Sequence, residues 1–212
     1  MFKIYNVIIF LIGLAFASFL YFISNKYEIS DDSRIDLYQL ILPFSKTKPI
    51  IPYFIFHIAL SLFIVSRDIP YSYKVFYIVI LSIMQCLAYI DMKCFLIPNK
   101  IVLPSIALSV VLAFFTPDFK NLILGGIIGF LIIFAIVFIY PQGMGGGDIK
   151  YAFLAGIVIG KKLIVYSLLS GLIIGGLVSL LLIINKLIGR KDYLPYGPNL
   201  FIATVLFVVF NI

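Results

Sequence analysis

Two aspartates stand where their chemistry needs a reason. Asp148 lies in the stretch PQGMGGGDIK (Pro141–Lys150), and Asp91 lies in YIDMKCFLIPNKI (Tyr89–Ile101). Long apolar runs flank both. An ionisable group at membrane depth or at its rim is costly, so each is a functional-site hypothesis by default. Like charges a few Å apart cannot both ionise comfortably, so a pair of carboxylates there shares a proton. The ionised member can draw a proton from water while the protonated member polarises a peptide carbonyl. Such a dyad titrates as a unit, and neither role belongs to one residue.

Each aspartate also has a plainer reading. Asp is a favoured helix N-cap, and Gly-Gly-Gly-Asp before IKYAFLAG is a good loop-to-helix start. The glycines allow φ > 0 and a close backbone approach, so the run could also act as a hinge for Asp148. Asp91 can be an ordinary polar residue at a helix end. Ile97-Pro98-Asn99 breaks the chain after it, since the residue before proline disfavours the helical region. Asn99 is then placed to cap the next helix. Lys93 and Lys100 read as snorkelling side chains. The remaining acidic residues, Glu28, Asp31, Asp32, Asp36, Asp68, Asp118 and Asp192, lie in more polar loops or turns.

The elements that must position these groups are membrane helices. The 212 residues are 63% hydrophobic and 12% charged, with a mean hydropathy of +1.18. A soluble domain is about 45–50% apolar and about 25% charged, so this chain is built for lipid. The sequence predicts an all-α, polytopic membrane protein with about eight embedded helices. The apolar stretches are 4–24, 49–66, 72–90, 101–117, 121–140, 149–160, 163–185 and 197–212. The 121–140 and 163–185 runs reach the roughly 20 residues that a span needs, while 149–160 is short enough to be tilted or partly embedded. Residues 1–70 form an N-terminal membrane part with one polar loop, 25–48, and 71–212 form the part that carries both aspartates. Lys3 ahead of an apolar run looks like a signal peptide. No small-residue cleavage site follows, so residues 4–24 read as a first spanning helix.

Parity gives an orientation. With eight crossings and the N-terminus outside, ten Lys and Arg fall on one side and six on the other. The richer side reads as cytoplasmic, and it holds both aspartate loops. The net charge of +7 is spread through short loops, which fits topology signals and not a nucleic-acid patch. Cys86 and Cys94 form no CxxC pair, and one His leaves too few ligands for zinc. No metal and no cofactor is expected.

GMGGGDIK, an aspartate followed by LIPN, and LPYGP at Leu194–Pro198 together resemble the type IV prepilin peptidases, membrane aspartic endopeptidases of the GxGD type. The family pattern is met by Asp91, by Ile97-Pro98-Asn99, by Gly145-Gly146-Gly147-Asp148-Ile149-Lys150, and by Pro195-Tyr196-Gly197-Pro198. GLAFASFLYFIS is similar to the family's first helix. The resemblance covers about residues 75–205. It implies Asp91 and Asp148 as catalytic residues. It also implies Gly145, Gly146, Gly147, Lys150, Pro98, Asn99, Pro195, Gly197 and Pro198 as substrate-binding or loop-supporting residues. The implied partners are type IV pilin-like or pseudopilin precursors and the lipid bilayer, with cleavage of a basic leader at the cytoplasmic membrane face. Many bacterial members carry a longer first loop with cysteine pairs and also methylate the new N-terminus. Here that loop has about 24 residues and no cysteine, so a peptidase-only enzyme of the short or preflagellin type is implied.

Two other classes fit the two carboxylates. One is a proton- or cation-coupled transporter, although no polar series continues through the membrane from the aspartate rim. The other is a GxGD protease of the presenilin kind, although Leu194–Pro198 reads LPYGP and not that group's Pro-Ala-Leu. His57, in FIFHIAL, reads as a satisfied packing residue between helices. The GxxxG spacings Gly125/Gly129, Gly156/Gly160 and Gly171/Gly175 predict close helix packing, with a mobile wall as the functional alternative. The acidic loop residues Glu28, Asp31, Asp32 and Asp36 read as a solvated loop balanced by its own Lys and Arg. Attraction of a basic leader is their second reading.

Overall fold

The computed structural model describes residues 4–27, 50–141, 143–189 and 194–212. Among them are eight helices and no strand: α1 (Ile4–Ser24), α2 (Ile50–Ser66), α3 (Tyr71–Cys94), α4 (Asn99–Phe114), α5 (Phe119–Ile139), α6 (Gly146–Ile159), α7 (Ile164–Ile184) and α8 (Gly197–Asn211). An all-helical bundle is what a bilayer demands, because each helix satisfies its own backbone groups. Four helices, α1, α3, α5 and α7, are long and apolar enough to cross, and α2, α4 and α8 are shorter apolar helices. The chain is thus a polytopic membrane-type protein. Most of the polar loop 25–48, including Glu28, Asp31, Asp32 and Asp36, lies outside the described residues.

α3 is the axis of the bundle. Its apolar window is 83% buried, against 28%, 28% and 22% for α1, α5 and α7. The difference matches the sequences. α3 carries Lys74, Ser82, Gln85, Cys86 and Asp91, which need protein partners, whereas the outer helices show broad Leu, Ile and Phe faces. Exposed apolar area of that extent belongs against lipid. Around α3 the core joins Phe76, Ile80, Met84 and Leu87 to Tyr151, Leu154 and Ile157 of α6 and to Leu200 of α8.

Lys74, Ser82, Gln85 and Cys86 of α3 are buried and hydrogen-bonded. The Lys74 ammonium donates to the Val65 carbonyl at 2.9 Å and to Asn6 Oδ1 at 3.2 Å. His57 lies between Gln85 Oε1 at 3.3 Å and Ser61 Oγ at 3.2 Å, as a packing histidine should. Neither cysteine is in a disulfide among the described residues, and Cys86 Sγ donates to the Leu20 carbonyl.

The closest helix contact is α5 on α6. A Cβ on Gly125 would run into the Gly156 carbonyl oxygen, and one on Gly156 into that of Gly125. At Gly129 it would meet the Ala152 carbonyl oxygen at 2.5 Å. The small-residue spacing therefore brings two backbones together, as expected of it. Gly171 and Gly175 of α7 likewise face Leu200 and Asn199 of α8.

Candidate active site

Three helix ends meet at one end of the bundle. Asp91 lies in the last turn of α3, Asp148 in the first turn of α6, and Gly197 opens α8. α3 ends at Phe95, which takes a left-handed conformation (φ 52°) while its N–H bonds to the Asp91 carbonyl at 2.8 Å. Glycine is the usual residue there. Phe95 instead packs against the cluster of Leu182 and Ile188, which fixes the end of α3 against the far end of α7.

Asp91 is buried, at 5% exposure. Its Oδ2 accepts the Gly197 N–H at 3.0 Å. That donor is one of the unpaired N–H groups of a helix start, where the helix dipole favours an anion. A Cβ on Gly197 would lie 2.7 Å from the same oxygen, so glycine is required for the approach. Pro198 follows within the first turn of α8 and has no N–H to leave unpaired. Pro195 is buried, and its carbonyl accepts the Asn199 side-chain amide at 3.2 Å.

Asp148 is not the cap of α6. The N-cap is Gly145, and Asp148 reaches back from the third helical position. Its Oδ2 accepts the Gly145 N–H at 2.8 Å, while its own N–H donates to the Gly145 carbonyl at 3.1 Å. The carboxylate is half-buried, and burial pushes its pKa up against the opposing pull of the Gly145 bond.

The glycine run differs from a hinge built on left-handed backbone. Gly145 is extended (φ −94°), and Gly160 is the glycine with positive φ among the described residues. Gly147 is small because a Cβ there would lie 2.9 Å from Ile97 Cβ. Gly146 meets nothing within 4 Å.

Asn99 does not cap α4. The N-cap is Pro98, with no side-chain cap bond, and Pro98 offers its carbonyl to Ile101 and Val102 at 3.0 Å each. Asn99 Oδ1 instead accepts the Lys150 ammonium at 2.5 Å. A charged donor makes the stronger bond, and it leaves Asn99 tied to α6. Together with the Gly147–Ile97 contact, this locks the loop after Asp91 onto the first turn of α6. Lys93 also departs from free snorkelling: its ammonium lies 4.4 Å over the Tyr89 ring and 3.4 Å from Asn25 Oδ1.

The two carboxylates are close enough for the charge of Asp148 to be felt at Asp91. Two tyrosines to which sequence reasoning gave no role lie near them, Tyr151 unmentioned and Tyr196 quoted only within the Pro195–Pro198 segment. Tyr151 is fully buried, lies in the field of both aspartates, and donates to the Met84 carbonyl at 2.8 Å. Tyr196 feels Asp148 and donates to the Leu168 carbonyl at 3.2 Å. Tyr151 had a signal in its spacing, since three residues after Asp148 is the same helix face. Among the described residues no cluster of His, Cys, Asp and Glu could hold a metal ion.

Residues 78–180 match a family model described as the type IV leader peptidase family. This part of the chain, just under half of it, is similar to that family. The match includes both aspartates and the glycine run, and it stops before Gly197. Among curated proteins, the chain is similar to the prepilin leader peptidase/N-methyltransferase of Bacillus subtilis, 28% identical over 132 residues, 61% of this chain and 53% of that protein. It is also similar to the protein of the same name from Pseudomonas putida, 28% identical over 124 residues, 55% of this chain and 43% of that protein. The chain thus spans about half the length of these relatives. No solved structure matches it.

Proposed function

We propose that the chain is a membrane aspartic endopeptidase that removes the leader of type IV prepilin-like precursors. The observation that carries the reading is the placement of Asp91 at the end of α3 and Asp148 at the start of α6, at the same end of the bundle, inside the segment matched by the leader peptidase family. Catalysis is assigned to residues 71–212, with 1–70 as membrane scaffold. The charge bias of the loops supports a multi-pass protein of the cytoplasmic membrane with this end facing the cytoplasm.

One carboxylate of the pair is ionised and the other protonated. The ionised one takes a proton from water as its oxygen attacks the scissile carbonyl carbon, while the protonated one gives its proton to the carbonyl oxygen. Collapse of the tetrahedral species breaks the C–N bond, and the leaving amine takes a proton from the dyad. The products are a leader carboxylate and a new amino terminus. Gly197 supports the reading by holding one Asp91 oxygen, and the Lys150–Asn99 and Gly147–Ile97 contacts support it by fixing the Asp148 turn. Entry is lateral: the precursor's apolar helix comes from the bilayer while its basic leader stays outside it. The names of the relatives include methyl transfer. The reading of this chain stops at cleavage, because its 25–48 loop has no cysteine pair.

The test is cleavage of a pilin-like precursor in membranes by wild type, Asp91→Asn and Asp148→Asn. Loss in both variants with cleavage by wild type is expected. Cleavage that persists in either variant overturns the dyad, and no cleavage of any precursor by wild type overturns the reaction and makes ion flux the next assay.

A further inference from the structure

The bond from Tyr151 to the main chain of α3 has no part in the cleavage scheme, yet its place is specific. Tyr151 is completely buried and its hydroxyl donates to the Met84 carbonyl at 2.8 Å. Phenylalanine would fill the same apolar space without burying a hydroxyl, which is costly unless it is bonded. Met84 is itself completely buried, so water cannot replace the tyrosine as donor.

The geometry of the two helices gives the bond its meaning. Tyr151 comes three residues after Asp148, and Met84 seven before Asp91. Steps of three and seven both return to the same face of an α-helix. The bond therefore ties the Asp148 face of α6 to the Asp91 face of α3, within the bundle behind the carboxylates. It joins the two aspartate-bearing helices directly. Lys150–Asn99 joins α6 to α4, and Gly197–Asp91 joins α8 to α3. A phenol on two rotatable bonds is a stiff strut, so loss of the hydroxyl frees sliding of α6 along α3.

We propose that Tyr151 is a positioning residue, whose hydroxyl on the Met84 carbonyl sets the axial register of α6 on α3 and with it the approach of Asp148 to Asp91. Its effect on turnover rests on the dyad reading above, while its effect on the approach of the two helices does not.

The experiment has two arms in the full chain in membranes. In the first, Cys86→Ser and Cys94→Ser remove the native thiols, and Asp91→Cys with Asp148→Cys provides a pair to be bridged by a short bis-maleimide. Intramolecular bridging is followed by mass spectrometry with and without Tyr151→Phe. The expected result is bridging several-fold slower with Phe, and equal rates overturn the proposal whatever the protein does. Tyr151→Met, which also lacks the donor, replaces Phe if that variant fails to fold.

In the second arm, precursor cleavage by Tyr151→Phe is compared with wild type across pH, with Asp91→Asn and Asp148→Asn alongside. A misplacement of about 1 Å costs up to about 100-fold, so kcat is expected to fall about 10- to 100-fold with KM unchanged. The pH bell is expected to narrow, because carboxylates farther apart split their two titrations less. Inactive aspartate variants with an unchanged kcat and bell in Tyr151→Phe overturn the positioning role. Active aspartate variants overturn the dyad instead, and the bridging arm still decides the register.

Discussion

Gly197→Ala isolates the support given to Asp91. The new Cβ would lie 2.7 Å from Asp91 Oδ2 and 3.3 Å from its Cβ and Cγ. Ordinary contact begins at 3.4 Å, so the carboxylate or the start of α8 must yield by about 0.7 Å. Neither has free space, since both residues are buried. The displacement breaks the 3.0 Å bond from the Gly197 N–H. A hydrogen bond to a charged group is worth about 1.5–3 kcal/mol, and a further ~0.3–1 kcal/mol comes from the helix start. Lost from the reacting arrangement, the bond alone corresponds to a fall of about 10- to 100-fold in turnover. The assay is initial-rate cleavage of a pilin-like precursor in membranes, normalised to folded enzyme by size-exclusion profile. Gly176→Ala is the control: a Cβ there meets nothing within 4 Å, and the change inside α7 stabilises by about 0.5–1 kcal/mol with cleavage unaltered. If Gly197→Ala cleaved at the wild-type rate while folded, the Gly197 N–H would have no part in holding Asp91 for catalysis.

Gly146→Val tests adjustability of the Asp148 turn. Its side chain meets nothing in the resting structure, so kcat should fall several-fold with little change in the thermal unfolding midpoint, and an unchanged kcat removes the hinge. Asn99→Ala removes the acceptor of Lys150. The pair is near the surface, so the loss is discounted to about 1 kcal/mol or less, read as a fall of a few-fold in kcat/KM. The pH profile of kcat should be a bell. Activity rises as the first proton leaves the shared pair, because a base appears, and falls as the second leaves, because the acid is gone. Burial raises the pKa of Asp148, so the acid limb of the pair should be displaced upward from that of a solvent-exposed carboxylate. His57→Ala leaves the Gln85 and Ser61 side chains without their partner. It should cost about 1–3 kcal/mol of stability by chemical denaturation, with cleavage per folded molecule unchanged.

The membrane class and the two aspartates were legible because both depend on contrast within the sequence itself. Sixteen basic and nine acidic residues in 212 leave little polar background, and a carboxylate beside a run of Leu and Ile stands out against it. Boundaries were less legible at the glycines. Gly146 and Gly147 read as loop before a helix from 149, whereas α6 starts at Gly146. The reciprocal bonds between Gly145 and Asp148 outweigh the low helix propensity of glycine there. Asn99 read as a cap because Asn before an apolar run commonly is one, and the prediction failed because a lysine from another helix offers a better partner. The role of Gly197 was not legible as a contact. It depends on a residue 106 positions away, and no periodicity along one chain reports which helix end will meet which. Tyr151 was hidden in a different way, as one of 14 tyrosines; its spacing to Asp148 becomes informative only once α3 is known to pack on that face.

α6 explains why so many contacts gather on one short element. Its 14 residues rise about 21 Å, less than the roughly 30 Å of a bilayer core, so the membrane alone cannot set its depth. Depth has to come from protein contacts, and the sequence supplies them along the whole helix. Gly156 and Ala152 bring its backbone against α5, Tyr151 bonds to α3, Lys150 bonds to Asn99, and Gly147 abuts Ile97. An ordinary spanning helix tolerates tilt and sliding within the lipid. Under the proposed dyad, the helix that carries Asp148 would have less freedom, since such a pair works only at short range. Making α6 short and fastening it at four levels separates the position of Asp148 from the thickness of the bilayer around it.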